Sequence, residues 1–123
     1  MDRYDPDLDP PPDEWLALDE HERISLAERY HRRRRIRLPN LTLHAVVHVI
    51  VENQLAAGEL AVVETMARLR SEGLDRHDAL HAIGSVLTGQ LHSILLDPLG
   101  HERPTEKYFD GLRKLSARTW SDS

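Results

Sequence analysis

The chain has 123 residues, no cysteine and a formal net charge of −5, a length that suits one folded domain with a single core. Without cysteine, disulfides and thiolate metal sites are excluded, so any bound metal must be held by imidazole and carboxylate groups. Charged residues make up 30% of the chain and hydrophobic residues 40%, as in ordinary globular proteins, and no apolar run approaches the ~20 residues of a membrane span.

The charge is distributed unevenly along the chain. Residues 1–22 carry nine acidic residues and one basic residue, and residues 23–37 carry seven basic residues and one acidic residue. Because the basic block is local, nucleic acid is not an expected partner. The acidic N-terminus has no apolar signal region, which predicts a cytoplasmic protein.

Residues 1–12 contain four prolines and four aspartates, which predicts an extended acidic tail outside a helical domain at 13–123. Residues 13–18 follow as one short helical turn with Trp15 against the core. Asp19 and Glu22 have the spacing of a capping box, so a helix is expected from there to about residue 35.

The segment 41–57 is apolar on nearly all sides, and Asn40 before it is a suitable N-cap. Its many β-branched residues make a strand the rival interpretation. The length of the segment and the stop at Gly58 favour a helix that is buried.

Three further helices are expected in the second half of the chain. One covers residues 60–72 and stops at Gly73, one starts at Asp75 and Asp78 and runs to about residue 95, and a last one starts at Thr105 after a turn at 97–100. The fold class is therefore all-α, a single-domain bundle of about four long helices plus one or two short ones.

Two histidine pairs of identical spacing lie in these apolar helices. They are His44 with His48 and His77 with His81, and Glu52 continues the first pair at the same interval. Side chains four residues apart share a helix face. The side chains of His44, His48 and Glu52 therefore lie within an arc of about 80° around the helix axis. Burying several polar rings costs free energy unless each is hydrogen-bonded or metal-bound.

This pattern predicts a metal centre between two buried helices. Zinc is the first expectation, held by His48, His77 and His81 together with Glu52 or His44. Iron, manganese and nickel also accept imidazole and carboxylate ligands. Three protein ligands and one water would make a metal-dependent hydrolase possible, whereas four protein ligands would make the site structural.

A metal-free interpretation stays open beside this one. The imidazoles can form a buried network with Glu52, Asn53, Gln54 or backbone carbonyls across helices, in a non-enzymatic interaction module that binds its partner through residues 32–37 or the C-terminal aromatic helix. The acidic tail could instead fold over the basic block, which is then a solvated helix end. Pairing of helices between two copies of the chain would also bury the histidines, so a homo-oligomer is a further expectation.

Two other patterns carry less weight. His77-Asp78 is similar to the doublet of metal phosphohydrolases, but Asp78 is better explained as an acid in the first turn of a helix. His44 is followed by Ala45, so the metalloprotease pattern with Glu after the first His is absent.

The segments LHAVVHVIVENQLA (43–56) and EGLDRHDALHAIGSVLTGQL (72–91) resemble an uncharacterised bacterial helical family, domain of unknown function 1841. Its members share LHxxxHxxxENQ, a helix and then GLxRHxAxHAIG, and DPPPDEWLALDEHER (9–23) also looks typical. The resemblance implies a bacterial helical protein and no reaction. The motif positions that it implies are His44, His48, Glu52, Asn53, Gln54, His77 and His81.

Overall fold

The computed structural model describes residues 1–34, 40–96 and 104–121, and every regular element in these ranges is an α-helix. The all-α prediction is therefore confirmed for the described part of the chain. The helices are α1 Pro12–Ala17, α2 Glu20–Arg33, α3 Leu41–Ala56, α4 Leu60–Ser71, α5 Arg76–Leu96, α6 Pro104–Lys114 and α7 Ala117–Ser121. The predicted turn at 97–100 and the basic residues Arg35 and Arg37 lie outside the described residues.

The chain forms two compact units, Met1–Glu59 and Leu60–Ser123. The sequence predicted one helical domain at 13–123, whereas the contacts group α1–α3 in the first unit and α4–α7 in the second. Among the described residues, no single helix is long and apolar enough to cross a membrane.

Local signals start the helices of the first unit. Pro12 occupies the first position of α1, where its fixed φ and missing N–H cost nothing. The Asp19 carboxylate accepts a hydrogen bond of 2.8 Å from the Glu22 backbone N–H and caps α2. Asn40 caps α3 in the same way, through the Leu43 N–H at 3.0 Å. Both caps are those that the sequence predicts.

Two residues of the N-terminal segment, which we define as residues 1–11, are buried in the first unit. Tyr4 has no exposed surface and Pro6 is also buried, so these two residues attach the predicted tail to the folded structure. The physical reason is the aromatic ring of Tyr4. The free energy gained by burying this ring exceeds the cost of holding its short polar neighbours against the protein. The Leu8 N–H donates to the Asp5 carbonyl at 3.0 Å and forms a turn within the tail. The buried core contains Tyr4, Trp15, Leu26, Ala27, Tyr30, Ala45 and Val49.

The residue Asn53 joins the helices of the first unit. Its side-chain oxygen accepts hydrogen bonds from Trp15 Nε1 at 2.9 Å and from Arg23 Nη1 at 3.0 Å. Arg23 also donates to the backbone oxygens of Leu16 and Leu18. One amide of α3 therefore fixes α1 and the start of α2.

Glycines end α3 and α4, as their positions in the sequence predict. Gly58 has φ of +74°, and the N–H groups of Gly58 and Glu59 bond to the carbonyls of Leu55 and Gln54. This is the Schellman motif, which needs the left-handed backbone that glycine adopts at little cost. Gly73, with φ of +108°, ends α4 with the same pair of bonds.

In the second unit, Asp75 caps α5 by accepting from the Asp78 N–H at 2.8 Å, which agrees with the explanation of Asp78 as a first-turn residue. Helix α6 packs closely on α5, since a Cβ added at Gly111 would lie 2.6 Å from Val86 Cγ1. Arg68 of α4 donates to the carbonyl of Leu112 at 2.8 Å. Its positive charge lies near the C-terminal end of α6, where a cation stabilises the helix.

The C-terminal helix predicted from Thr105 onward is divided into α6 and α7. Ser116 and Thr119 exchange two bonds, Ser116 N–H to Thr119 Oγ1 and Thr119 N–H to Ser116 Oγ, both of 3.0 Å. These bonds supply the donors at the start of α7 with partners. The side chains therefore favour a new helix start over continuation of α6.

Candidate metal centre

Three histidines of the first unit meet between α2 and α3. The ring centroids of His31 and His44 are 4.6 Å apart, those of His31 and His48 are 5.0 Å apart, and those of His44 and His48 are 4.8 Å apart. Each ring offers a nitrogen within 4.8 Å of the others. We call His31, His44 and His48 the histidine cluster.

The cluster is largely shielded from solvent, with His31 and His48 buried and His44 half-buried. His31 has no exposed surface and His48 is 4% exposed, and the Nε2 atoms of His31 and His44 are both buried. A protonated imidazole is costly in such surroundings, and three protonated rings this close would also repel one another. The arrangement therefore favours neutral rings, the form that binds metal ions.

The hydrogen bonds of His31 determine which of its nitrogens can bind a metal. Its Nδ1 lies 2.7 Å from the backbone oxygen of Ala27, and since a carbonyl only accepts, Nδ1 carries the proton. In the neutral ring the lone pair is then on Nε2. An imidazole that donates its other N–H to a carbonyl is the usual arrangement of a metal ligand.

His48 is oriented in a similar way, through Tyr4. The Tyr4 hydroxyl donates to Glu52 Oε2 at 2.5 Å and lies 3.2 Å from His48 Nδ1. Because the single hydroxyl proton points to Glu52, we assign the second bond to His48 Nδ1–H as donor and the hydroxyl oxygen as acceptor. The lone pair of His48 is then also on Nε2.

The sequence predicted Glu52 as a ligand. In the structure, the Tyr4 hydroxyl lies between the Glu52 carboxylate and the His48 ring. Glu52 is 1% exposed and connects to His48 through this hydroxyl. A buried carboxylate that accepts a short hydrogen bond can increase the basicity of an imidazole further along the chain of bonds. This position suits an outer carboxylate that supports the ligands.

The second predicted pair lies in α5 of the second unit. The rings of His77 and His81 are 4.3 Å apart, as their spacing predicts, and His77 Nε2 is buried. The expectation that they complete a centre with the first pair stays a prediction.

Sequence reasoning missed His31 and Tyr4. His31 lies in the last turn of α2, where Arg32 and Arg33 follow it, and these basic neighbours hid its place on the apolar face. A helical wheel gives the missing signal, since His31 lies within about 60° of Ile24 and Ala27. Tyr4 carries a weaker signal, a lone aromatic residue in a polar segment.

The basic end of α2 makes contacts within the first unit. Arg33 Nη2 donates to the Tyr4 backbone oxygen at 3.4 Å, and the Arg34 guanidinium lies 5.6 Å from the centre of the Tyr30 ring. Burial raises the pKa of Tyr30, Arg34 opposes the rise, and Asp7 and Asp5 add to it. These contacts agree with an acidic segment folded over the end of α2.

Comparison of the chain with protein-family models, with curated proteins and with solved structures gives no match. The resemblance to domain of unknown function 1841 therefore stays a prediction, and the case for a function depends on the geometry of the site.

Proposed function

We propose that this chain is a helical metal-binding protein whose centre is built on the histidine cluster, with zinc as the first candidate. The observation that carries the proposal is the meeting of three imidazoles from two helices, two of them buried and the third, His44, half-buried with a buried Nε2. Two of them have an assigned tautomer with the lone pair on Nε2.

The distances support a site that closes on an ion. Two nitrogens bound to zinc at 2.0–2.1 Å in tetrahedral geometry are about 3.3 Å apart, while the cluster nitrogens lie within 4.8 Å of one another. Side-chain rotations that move each ring nitrogen by about 1 Å would bring the nitrogens to coordination distance. The cation would also relieve the cost of burying polar ring nitrogens such as Nε2 of His31 and His44.

The sequence adds His77 and His81 as further ligands. With four protein ligands the centre would be structural, and with three it would keep a position for water, which is the condition for the metal-dependent hydrolase that the sequence also suggests. The proposed location is the cytoplasm. Disulfides are rare in that compartment, so a chain without cysteine loses no stabilising bond there.

The experiment is a metal titration of untagged protein. We expect about one zinc ion per chain by mass spectrometry, and a free energy of unfolding raised by about 2.7 kcal/mol at a hundredfold excess of zinc over its dissociation constant. His44→Gln and His31→Gln should each weaken zinc binding by at least tenfold, because each removes a ligand. His21→Gln is the matched control, since His21 is exposed on the same helix as His31.

A specific observation favours a second candidate, the metal-free polar network of an interaction module. Tyr4, Glu52 and His48 form connected hydrogen bonds, and such a network can hold a unique packing. If zinc, nickel, manganese and iron all fail to bind or to change the melting temperature, the metal proposal is rejected and this second candidate takes its place.

A further inference from the structure

The N-terminal segment contacts the candidate metal centre through one side chain. The Tyr4 ring lies 5.5 Å from the Trp15 ring, 6.2 Å from the Tyr30 ring and 6.1 Å from the His48 ring, measured between centroids. The rest of the segment is largely on the surface, with Leu8 65% exposed. Tyr4 therefore anchors the segment.

The hydroxyl of Tyr4 is placed between a carboxylate and a candidate ligand. It donates to Glu52 Oε2 at 2.5 Å and accepts from His48 Nδ1 at 3.2 Å. When a cation binds Nε2 of an imidazole, the ring loses electron density and its Nδ1–H becomes a stronger donor. The bond from His48 to Tyr4 would then be stronger in the metal-bound protein.

We propose that Tyr4 is a positioning residue of the metal centre, and that metal binding and docking of the N-terminal segment are therefore coupled. This inference rests on the proposed function. Any ligand that binds more tightly when Tyr4 is docked must, by the same factor, favour the docked state. The metal-bound protein holds its N-terminal segment in place, and the metal-free protein releases it more often.

Release of this segment is local and would change the surface of the protein. The segment has no helix, and its attachments besides Tyr4 include buried Pro6 and the 3.4 Å bond from Arg33 to the Tyr4 carbonyl. Segments with few buried contacts open at lower cost than a whole core. Opening would break the bond from Arg33 to the Tyr4 carbonyl, so the metal would control whether the acidic segment stays at the basic end of α2.

Chymotrypsin cleavage of the full chain after residue 4 tests the coupling. The protease must bind the Tyr4 ring in its own pocket, so it cleaves only molecules in which Tyr4 has left the core, and the rate follows the open population. Saturating zinc should slow this cleavage about tenfold, the factor typical of an outer partner of a metal ligand. A short peptide substrate in the same tube shows whether zinc affects the protease itself.

The variant Tyr4→Phe keeps the ring, and chymotrypsin also cleaves after phenylalanine, but the hydroxyl bonds to His48 and Glu52 are lost. We expect zinc to bind this variant about tenfold more weakly and to give it little protection from cleavage at saturation. Tyr30→Phe is the matched control, because it removes a hydroxyl from the same aromatic cluster and leaves Tyr4 intact. It should keep the full zinc effect.

The outcomes separate this inference from the proposed function. If the wild-type chain binds zinc and cleavage after Tyr4 is equally fast with and without it, the coupling is rejected and the metal centre stands. If the wild-type chain binds no metal, both are rejected. A merely structural role for Tyr4 would change the basal cleavage rate of the variant and leave its zinc dependence unchanged. The wild-type comparison alone decides the matter if Tyr4→Phe does not fold.

Discussion

At the scale of single residues, the candidate site depends on hydrogen bonds to the histidine rings. In each ring, the partner of the nitrogen that does not bind the metal determines which nitrogen is free to bind it. The Ala27 carbonyl assigns the proton of His31 to Nδ1, and the Tyr4 hydroxyl does the same for His48. The partner of His31 is a backbone carbonyl, and the partner of His48 is a side chain from a distant part of the chain. The spacing of histidines alone predicts which rings can meet, and it cannot predict which nitrogen each ring would offer.

The neighbouring residues Glu52 and Asn53 have separate roles that the sequence did not distinguish. Glu52 accepts from Tyr4 and Asn53 accepts from Trp15. Both contacts join α3 to residues of the first fifteen. The packing of α3 in the first unit therefore depends on both Tyr4 and Trp15.

The Asp19 cap provides a prediction on pH. The Glu22 backbone N–H is the main cause that lowers the pKa of Asp19 from 3.8, since it stabilises the charged carboxylate. A lowered pKa in the folded state gives stability above the unfolded value, and this stability is lost as the pH falls through the folded value. Asp19→Ala should therefore reduce the urea midpoint at pH 7, and the difference from wild type should shrink below about pH 3.8.

The matched control for this cap is Asp13→Ala, which removes an exposed carboxylate from the first turn of α1. We expect a smaller change in urea midpoint at pH 7. A difference between Asp19→Ala and wild type that stays constant from pH 7 to pH 3 would contradict the capping role.

At the scale of elements, capping residues and glycines determine most helix ends. Asp19, Asn40 and Asp75 start helices, and Gly58 and Gly73 end them, as local chemistry predicts. The break between α6 and α7 was missed because the apolar pattern continues across it. The Ser116 and Thr119 side chains, which compete for backbone groups, were the local signal.

Two glycines without nearby atoms give opposite predictions for the same substitution. An added Cβ at Gly58 or at Gly89 would meet nothing within 4 Å. Gly58 has φ of +74°, so Gly58→Ala should lower the free energy of unfolding by about 1 kcal/mol. Gly89 lies within α5, and Gly89→Ala should raise it by about 0.5–1 kcal/mol through helix propensity.

Urea denaturation of the two alanine variants measures both effects, and each variant is the control for the other. A loss of stability at both positions would mean that space, and not backbone conformation, decides the cost at Gly89. Equal stability of Gly58→Ala and wild type would contradict a Schellman end at α3.

At the scale of the whole molecule, the metal proposal predicts where zinc stabilises the chain. The histidine cluster lies in the first unit, on α2 and α3. Zinc should therefore slow amide hydrogen exchange in these two helices by up to about a hundredfold at a hundredfold excess over the dissociation constant. Mass spectrometry of peptides from the exchanged protein measures this.

The same measurement tests the sequence-based prediction of a shared centre. Protection of α5 around His77 and His81 equal to that of α3 would support their role as further ligands. Unchanged exchange in α5, with α2 and α3 protected, would assign the centre to the first unit alone. His77→Gln with His81→Gln is the matched double variant for zinc affinity.

The sequence by itself determined the fold class, the starts and ends of most helices and the alignment of each histidine pair on its helix, because these features depend on residues at most a few positions apart. Only the tertiary structure decided that His31 joins His44 and His48, and that Tyr4 lies between His48 and Glu52. These contacts connect residues 13 to 48 positions apart in the sequence. They depend on how the helices and the N-terminal segment pack, and packing is a property of the whole core that no local pattern specifies.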